Sequence, residues 1–172
     1  GSPRGEGNTY IALSEAASAL NKEGIATEII SIGAKAVQGC IACNKCRDGL
    51  GRCVFKDELY NTVREKIMES DGLIVGSPTY YAGPNGSLCA LLDRFFYSCT
   101  EYLLYKPAAA IAVCRRGGAS ATFDRLNKYF TISKMPVVPS QYWNSVHGLF
   151  PGEATQDAEG LQTMRTLGRN MA

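Results

Sequence analysis

Two groups of residues in this 172-residue chain carry chemistry, and they suit different ligands. The first is the opening run Gly1-Ser2-Pro3-Arg4-Gly5-Glu6-Gly7-Asn8-Thr9. Its three glycines let the backbone turn tightly and approach a ligand closely. A helical pattern follows, so the run presents unpaired N–H groups and the positive end of a helix dipole, a seat for a phosphate. It reads as the phosphate cradle of a nucleotide or flavin. The second group is Cys40, Cys43, Cys46 and Cys53, four of seven cysteines. An odd total with four crowded together suits a reducing compartment, expected to be the cytoplasm, and a site more than a disulfide framework. Structural zinc sites divide into two pairs separated by a longer finger, which this spacing lacks. Buried, reduced structural cysteines are the plain alternative.

Other chemistries fit less well. A dinucleotide fingerprint requires G-x-G-x-x-G with an acidic residue some 20 positions on, and glycines at 1, 5 and 7 do not match it. The lysine that reaches the outer phosphates in a P-loop is missing, which argues against an NTPase. Cys46 to Arg52 reads C-x5-R, as in phosphatases, but cysteines precede it and Cys53 stands where a Ser or Thr is wanted. His147, the single histidine, has no required part in redox chemistry carried by a cofactor. Arg115 and Arg116 could meet the phosphates of a nicotinamide nucleotide or form a solvated pair. A net charge of +2 argues for neither nucleic acid nor an anionic membrane surface. No apolar run reaches the roughly 18–20 residues needed to span a bilayer.

The elements that must position these residues follow from periodicity. A first helix is expected over residues 9–23, with Asn8 as cap and Gly24 as stop. The β-branched run 25–32 reads as a strand, and the cysteine segment 40–53 as loop or short helix. Asp57 caps a second helix carrying Leu59, Val63 and Ile67. Residues 73–76 form a wholly apolar strand ending in the loop 77–84. A third helix covers 85–99, and a strand over 107–113 ends at Cys114-Arg115-Arg116-Gly117-Gly118. Ser120 caps a fourth helix, Val137-Val138 form a short last strand, and residues 153–172 close the chain as a helix. This alternation predicts an α/β domain spanning 1–172, doubly wound on a parallel sheet. Ligands in such folds bind beyond the carboxyl ends of the strands. A cradle of this kind follows a strand, so an apolar strand of roughly five to eight residues is expected before Gly1. The closing helix, uncapped at Ala172, is expected to run on.

Several motifs in order resemble the flavodoxin-like family of NAD(P)H-dependent FMN reductases. They are Gly1-Ser2-Pro3-Arg4 with Gly7-Asn8-Thr9, then Gly76-Ser77-Pro78-Thr79-Tyr80-Tyr81, Leu92-Asp93-Arg94-Phe95, the segment 121–130 and Gln141-Tyr142-Trp143. The resemblance implies a flavodoxin-like sandwich with a five-stranded parallel sheet, its first, central strand lying before Gly1. It implies that Ser2, Arg4, Asn8 and Thr9 hold the FMN phosphate. Pro78, Thr79, Tyr80 and Tyr81 would line the isoalloxazine and ribityl chain, and Cys114, Arg115, Gly117 and Gly118 would pass the ring edge. Arg4 suits a phosphate dianion, and tyrosine faces suit an aromatic ring. The chemistry would lie on FMN, with NAD(P)H as hydride donor, a flavin, quinone or other small molecule as acceptor, and no catalytic side chain. A homodimer is the family default, with Trp143 near the contact. The spacing Cys40-x2-Cys43-x2-Cys46-x6-Cys53 resembles the cluster motif of iron–sulfur flavoproteins in the same superfamily. That implies an alternative, an electron carrier with a [4Fe–4S] cluster. A flavoprotein that senses redox state through its cysteines is a further alternative.

Overall fold

The structure is a computed structural model describing residues 1–172. Its centre is β3 (Ala108–Cys114), in which every residue is buried. Successive side chains of a strand point to opposite faces. Ala108 and Ala110 join one core with Phe95, Phe96, Leu126 and Phe130. Ala109, Ile111 and Val113 join the other with Ala12, Ala16, Met164 and Leu167. The alanines keep both faces shallow, so helices approach the strand closely.

Helices α1 (Asn8–Lys22) and α5 (Ala158–Met171) cover one face of the sheet. A Cβ on Gly168 would stand 2.6 Å from the Ala16 carbonyl oxygen, so the contact of these two helices admits no larger residue there. The other face carries α2 (Glu58–Glu69), α3 (Gly86–Ser98) and α4 (Ala119–Ile132). Asp57 caps α2 as expected and Asn85, just before α3, caps that helix; they accept the N–H groups of Tyr60 and Leu88. The cap of α4 is Gly118 at φ +86°, with Ser120 already inside the helix. Asp157 caps α5, and a separate 3-10 turn at Glu153–Gln156 precedes it.

The sheet has four strands in the order β2-β1-β3-β4 and is mostly parallel, against the five strands, one of them before Gly1, that the resemblance implies. β1 (Leu73–Tyr80) pairs parallel to β3, which pairs parallel to β4 (Ser145–His147). Beyond the expected end at Gly76, β1 continues to Tyr80 and turns antiparallel into β2 (Gly83–Pro84). Val137 makes only an isolated parallel bridge to Ala108. Residues 25–32 form no strand, because they find no ladder partner. Ile25 is exposed, and an open cleft of about 580 Å³ separates this segment from α1 at Tyr10, Ser14 and Ser18. A β-branched run fixes strand propensity and not a partner.

Candidate functional site

The carboxyl ends of β1, β3 and β4 gather three loops. The opening loop starts against β1, where the Gly1 amino group donates to the Gly76 carbonyl over 2.7 Å. The backbone N–H groups of Gly5, Glu6, Gly7, Asn8 and Thr9 donate to no protein acceptor, and Gly7 caps α1 without side-chain help. Five consecutive free amides at a helix start form a positive concavity. Arg4 is exposed above it, and its own N–H donates to Ser2 Oγ at 3.1 Å, which shapes the loop. Thr9 is buried beneath. Asn8 departs from its expected role as cap. Its Nδ2 donates to the Phe150 carbonyl at 2.9 Å, and its Oδ1 accepts from the Ala154 N–H at 3.2 Å. The side chain thus ties the cradle to the segment after β4, and what it offers a phosphate is its backbone N–H.

The second loop is the β1–β2 hairpin. Ser77 Oγ accepts from the Asn85 N–H at 2.9 Å and donates to the Pro78 carbonyl, locking the strand end to the start of α3. Tyr81 and Ala82 sit at φ +51° and +56°, the left-handed pair that a tight two-residue hairpin requires. For a tyrosine this conformation is costly, and it leaves the Tyr81 side chain entirely free. The Thr79 hydroxyl is buried without a partner. The third loop, Cys114 to Gly118, presses on the hairpin. A Cβ on Gly118 would lie 2.9 Å from Ala82 Cα and 3.2 Å from Thr79 Cγ2. Arg115, Arg116 and Gly117 are exposed, whereas Cys114 is buried and burial pushes its thiol up. His147, in register with Cys114, donates its N–H to Asp157 and brings its ring within 3.3 Å of the same carboxylate.

The cysteines of the 40–53 segment form a separate constellation packed against α3. Cys40, Cys43, Cys46 and Cys53 line one small, mostly apolar cavity with Phe55, Arg94 and Tyr97. No three of them converge closely enough to hold a single metal ion. All four are free thiols. Cys46 opens a π-helical turn, Cys46–Leu50, and burial pushes its thiol up, with Cys43 and Cys40 adding to the shift. The Ala42 N–H points at Cys40 Sγ over 3.5 Å, and Arg94 Nε donates to Cys53 Sγ over 3.3 Å. The Cys53 N–H donates to the Tyr60 hydroxyl at 3.0 Å. Burial, with the Cys99 thiol, pushes the Tyr60 phenol up to about 12. Sequence reasoning about the site missed Arg94 and Tyr60. For Arg94 a signal exists: it shares the inward face of α3 with Leu91, Phe95 and Ser98, where a charge needs a buried partner.

A mostly parallel sheet covered on both faces, with a helix-start amide cradle at its carboxyl end, defines a flavodoxin-like α/β protein. The family model of the NADPH-dependent FMN reductases matches residues 1–149, and the chain belongs to that family. An iron–sulfur flavoprotein of Methanocaldococcus jannaschii is 36% identical, covering all of this chain and 92% of that protein. One from Methanosarcina thermophila is 29% identical over 99% of this chain and 90% of its own. Among solved structures, the Trp repressor binding protein of Bacillus subtilis superposes with a TM-score of 0.72 at 20% identity, covering 95% of this chain and 94% of that one. An NAD(P)H:acceptor oxidoreductase flavoenzyme of Paracoccus denitrificans gives 0.65 at 15% identity, covering 99% and 94%. Those two likenesses establish the fold.

The chain is accordingly an FMN-dependent oxidoreductase. Its residues fit that cofactor on their own terms. Free amides and Arg4 suit the phosphate, and the orphaned Thr79 hydroxyl awaits a polar partner. No helix is long and apolar enough to cross a membrane.

Proposed function

We propose that this protein is a flavin-dependent electron-transfer oxidoreductase with two redox sites. It takes reducing equivalents from a nicotinamide nucleotide at the strand-end loops and delivers single electrons through the cysteine cavity. The observation that supports the reading is that Cys40, Cys43, Cys46 and Cys53 all line one cavity whose wall includes a buried arginine. Four thiols are the donor set of a polynuclear cluster, and the relatives carry iron–sulfur flavoprotein as their name.

In the strand-end site, the amides of residues 5–9 with Ser2, Arg4 and Thr9 would hold the phosphate. Pro78, Thr79, Tyr80 and Tyr81 would border the ring system, and Cys114, Arg115, Gly117 and Gly118 its edge. Bound FMN supplies the exchange between two-electron hydride chemistry and one-electron chemistry. The protein holds the cofactor in place. The strained hairpin fixes where Tyr80 and Tyr81 stand, and Gly118 lets the third loop close against it. Arg115 and Arg116, exposed beside this edge, are placed to meet the phosphates of NADH or NADPH. At the cysteine cavity, the thiolates would hold a [4Fe–4S] cluster, while Ala42 and Arg94 donate toward the sulfurs of Cys40 and Cys53.

A second reading, an NAD(P)H-dependent reductase of free flavin or quinone with structural cysteines, is favoured by the family model's own description and by the open face at Tyr81. Within either reading, the exposed Tyr142–Trp143 ring pair is a surface for a second copy of the chain. The deciding experiment compares wild type with Cys43→Ser in anaerobic NADH and NADPH oxidation assays. The two-site reading expects Cys43→Ser to retain FMN and quinone reduction but lose transfer to one-electron acceptor proteins. Unchanged activity toward both acceptor classes favours the second reading.

A further inference from the structure

Arg94 is the one fully buried charged side chain of the protein, 1% exposed. Burying a guanidinium is costly unless it is paired and hydrogen-bonded throughout. Here it is. Nη2 bonds the Asp57 carboxylate, Nη1 donates to the Gln38 carbonyl at 3.2 Å, and Nε donates to Cys53 Sγ at 3.3 Å. The guanidinium carbon lies 4.9 Å from the Tyr60 ring centroid and 5.3 Å from that of Phe55. Gln38 stands two residues before Cys40, and Cys53 is the last cysteine of the set. One side chain therefore joins both ends of the loop that carries all four thiols.

We propose that Arg94 is the positioning residue of the cysteine site: it clasps the 38–53 loop shut and raises the reduction potential of the group held there. This rests on the cluster reading. A cation donating an N–H to a ligand sulfur stabilises the more negative, reduced state, which raises the potential. Asp57 opposes it, because its carboxylate cancels part of the charge. Aspartate and asparagine cap helices equally well, so Asp57→Asn keeps the start of α2 while releasing the positive field of Arg94. The two residues thus act with opposite signs on one observable. An arginine that merely fills space gives no such sign reversal.

The test is a spectroscopically monitored redox titration of anaerobically purified protein: wild type, Arg94→Gln, Arg94→Lys and Asp57→Asn. Arg94→Gln is expected to shift the reduction equilibrium about tenfold toward the oxidised form, ~59 mV for one electron. Asp57→Asn is expected to shift it the other way, and Arg94→Lys to restore part of the loss, since it returns the charge without the fork. Unchanged potentials in a protein that holds iron and sulfide overturn the proposal and leave the cluster reading standing. Shifts of the same sign in Arg94→Gln and Asp57→Asn overturn it too. Hydrogen exchange on metal-free protein tests the clasp separately: the Cys53 amide, bonded to Tyr60, is expected to exchange at least tenfold faster in Arg94→Gln. Equal exchange overturns the clasp. Wild-type protein without iron and sulfide overturns the cluster reading and the potential-setting role together, leaving the clasp to the exchange result alone.

Discussion

The strand-end loops and the cysteine cavity would hold their proposed ligands by opposite means. At the strand ends the backbone would do the holding: five free amides, a left-handed hairpin turn, and a glycine where any Cβ would strike Ala82. At the cysteine cavity side chains would do it: four thiols, with Arg94, Asp57 and Tyr60 bracing them. Glycines occur there as well, but Gly49 and Gly51 have open space around them. A backbone-built site is sensitive to an added methyl group and, Arg4 apart, tolerates side-chain exchange. A side-chain-built site has the reverse sensitivity.

The sharpest break in this contrast is Cys53→Ser, expected to abolish iron retention while leaving FMN stoichiometry unchanged, measured by iron, sulfide and flavin analysis. Next is Arg4→Ala. A charge-assisted contact to phosphate is worth ~1.5–3 kcal/mol, so FMN binding is expected to weaken roughly 10- to 150-fold. Riboflavin, which lacks the phosphate, should bind the two proteins alike in a fluorescence titration.

Alkaline titration probes the cysteine side through Tyr60. The Tyr60 phenol is pushed up to about 12, so the neutral form is favoured in the folded protein. Its contribution is complete below the ordinary phenol value near 10 and disappears as pH rises through about 12. Tyr60→Phe is expected to flatten that part of the stability profile in denaturant melts at pH 9 and above, and to cost about 1–3 kcal/mol at neutral pH by leaving the Cys53 N–H unpaired. Gly118→Ala and Gly51→Ala make the finest comparison. Both residues have positive φ, but only the former meets neighbouring backbone. The first is expected to lose about 1–3 kcal/mol and to weaken FMN binding; the second should cost about 1 kcal/mol and leave FMN alone. Equal effects on FMN would remove the distinction.

Much of the strand-end site was legible because its determinants are local. Glycine spacing, the helix pattern after Thr9, and the apolar runs ending at Ser77 and Cys114 each report backbone conformation directly. The hairpin at Tyr81–Ala82 was not legible, since such turns ordinarily advertise themselves with Asn-Gly. Nor was the true role of Asn8, whose partners at Phe150 and Ala154 lie at the far end of the chain. Residues 25–32 carry the right propensity for a strand and lack a neighbour, a fact no local pattern contains. At the cysteine site the four thiols announced themselves by spacing. Their bracing did not, because Arg94, Asp57 and Gln38 meet only in the folded chain.

The central claim is that one chain carries two redox sites, and the most direct measurement is the composition of protein purified anaerobically with iron, sulfide and FMN supplied. The expected result is about one flavin with about four irons and four sulfides per chain, the content of a [4Fe–4S] cluster. One flavin with neither iron nor sulfide would contradict it.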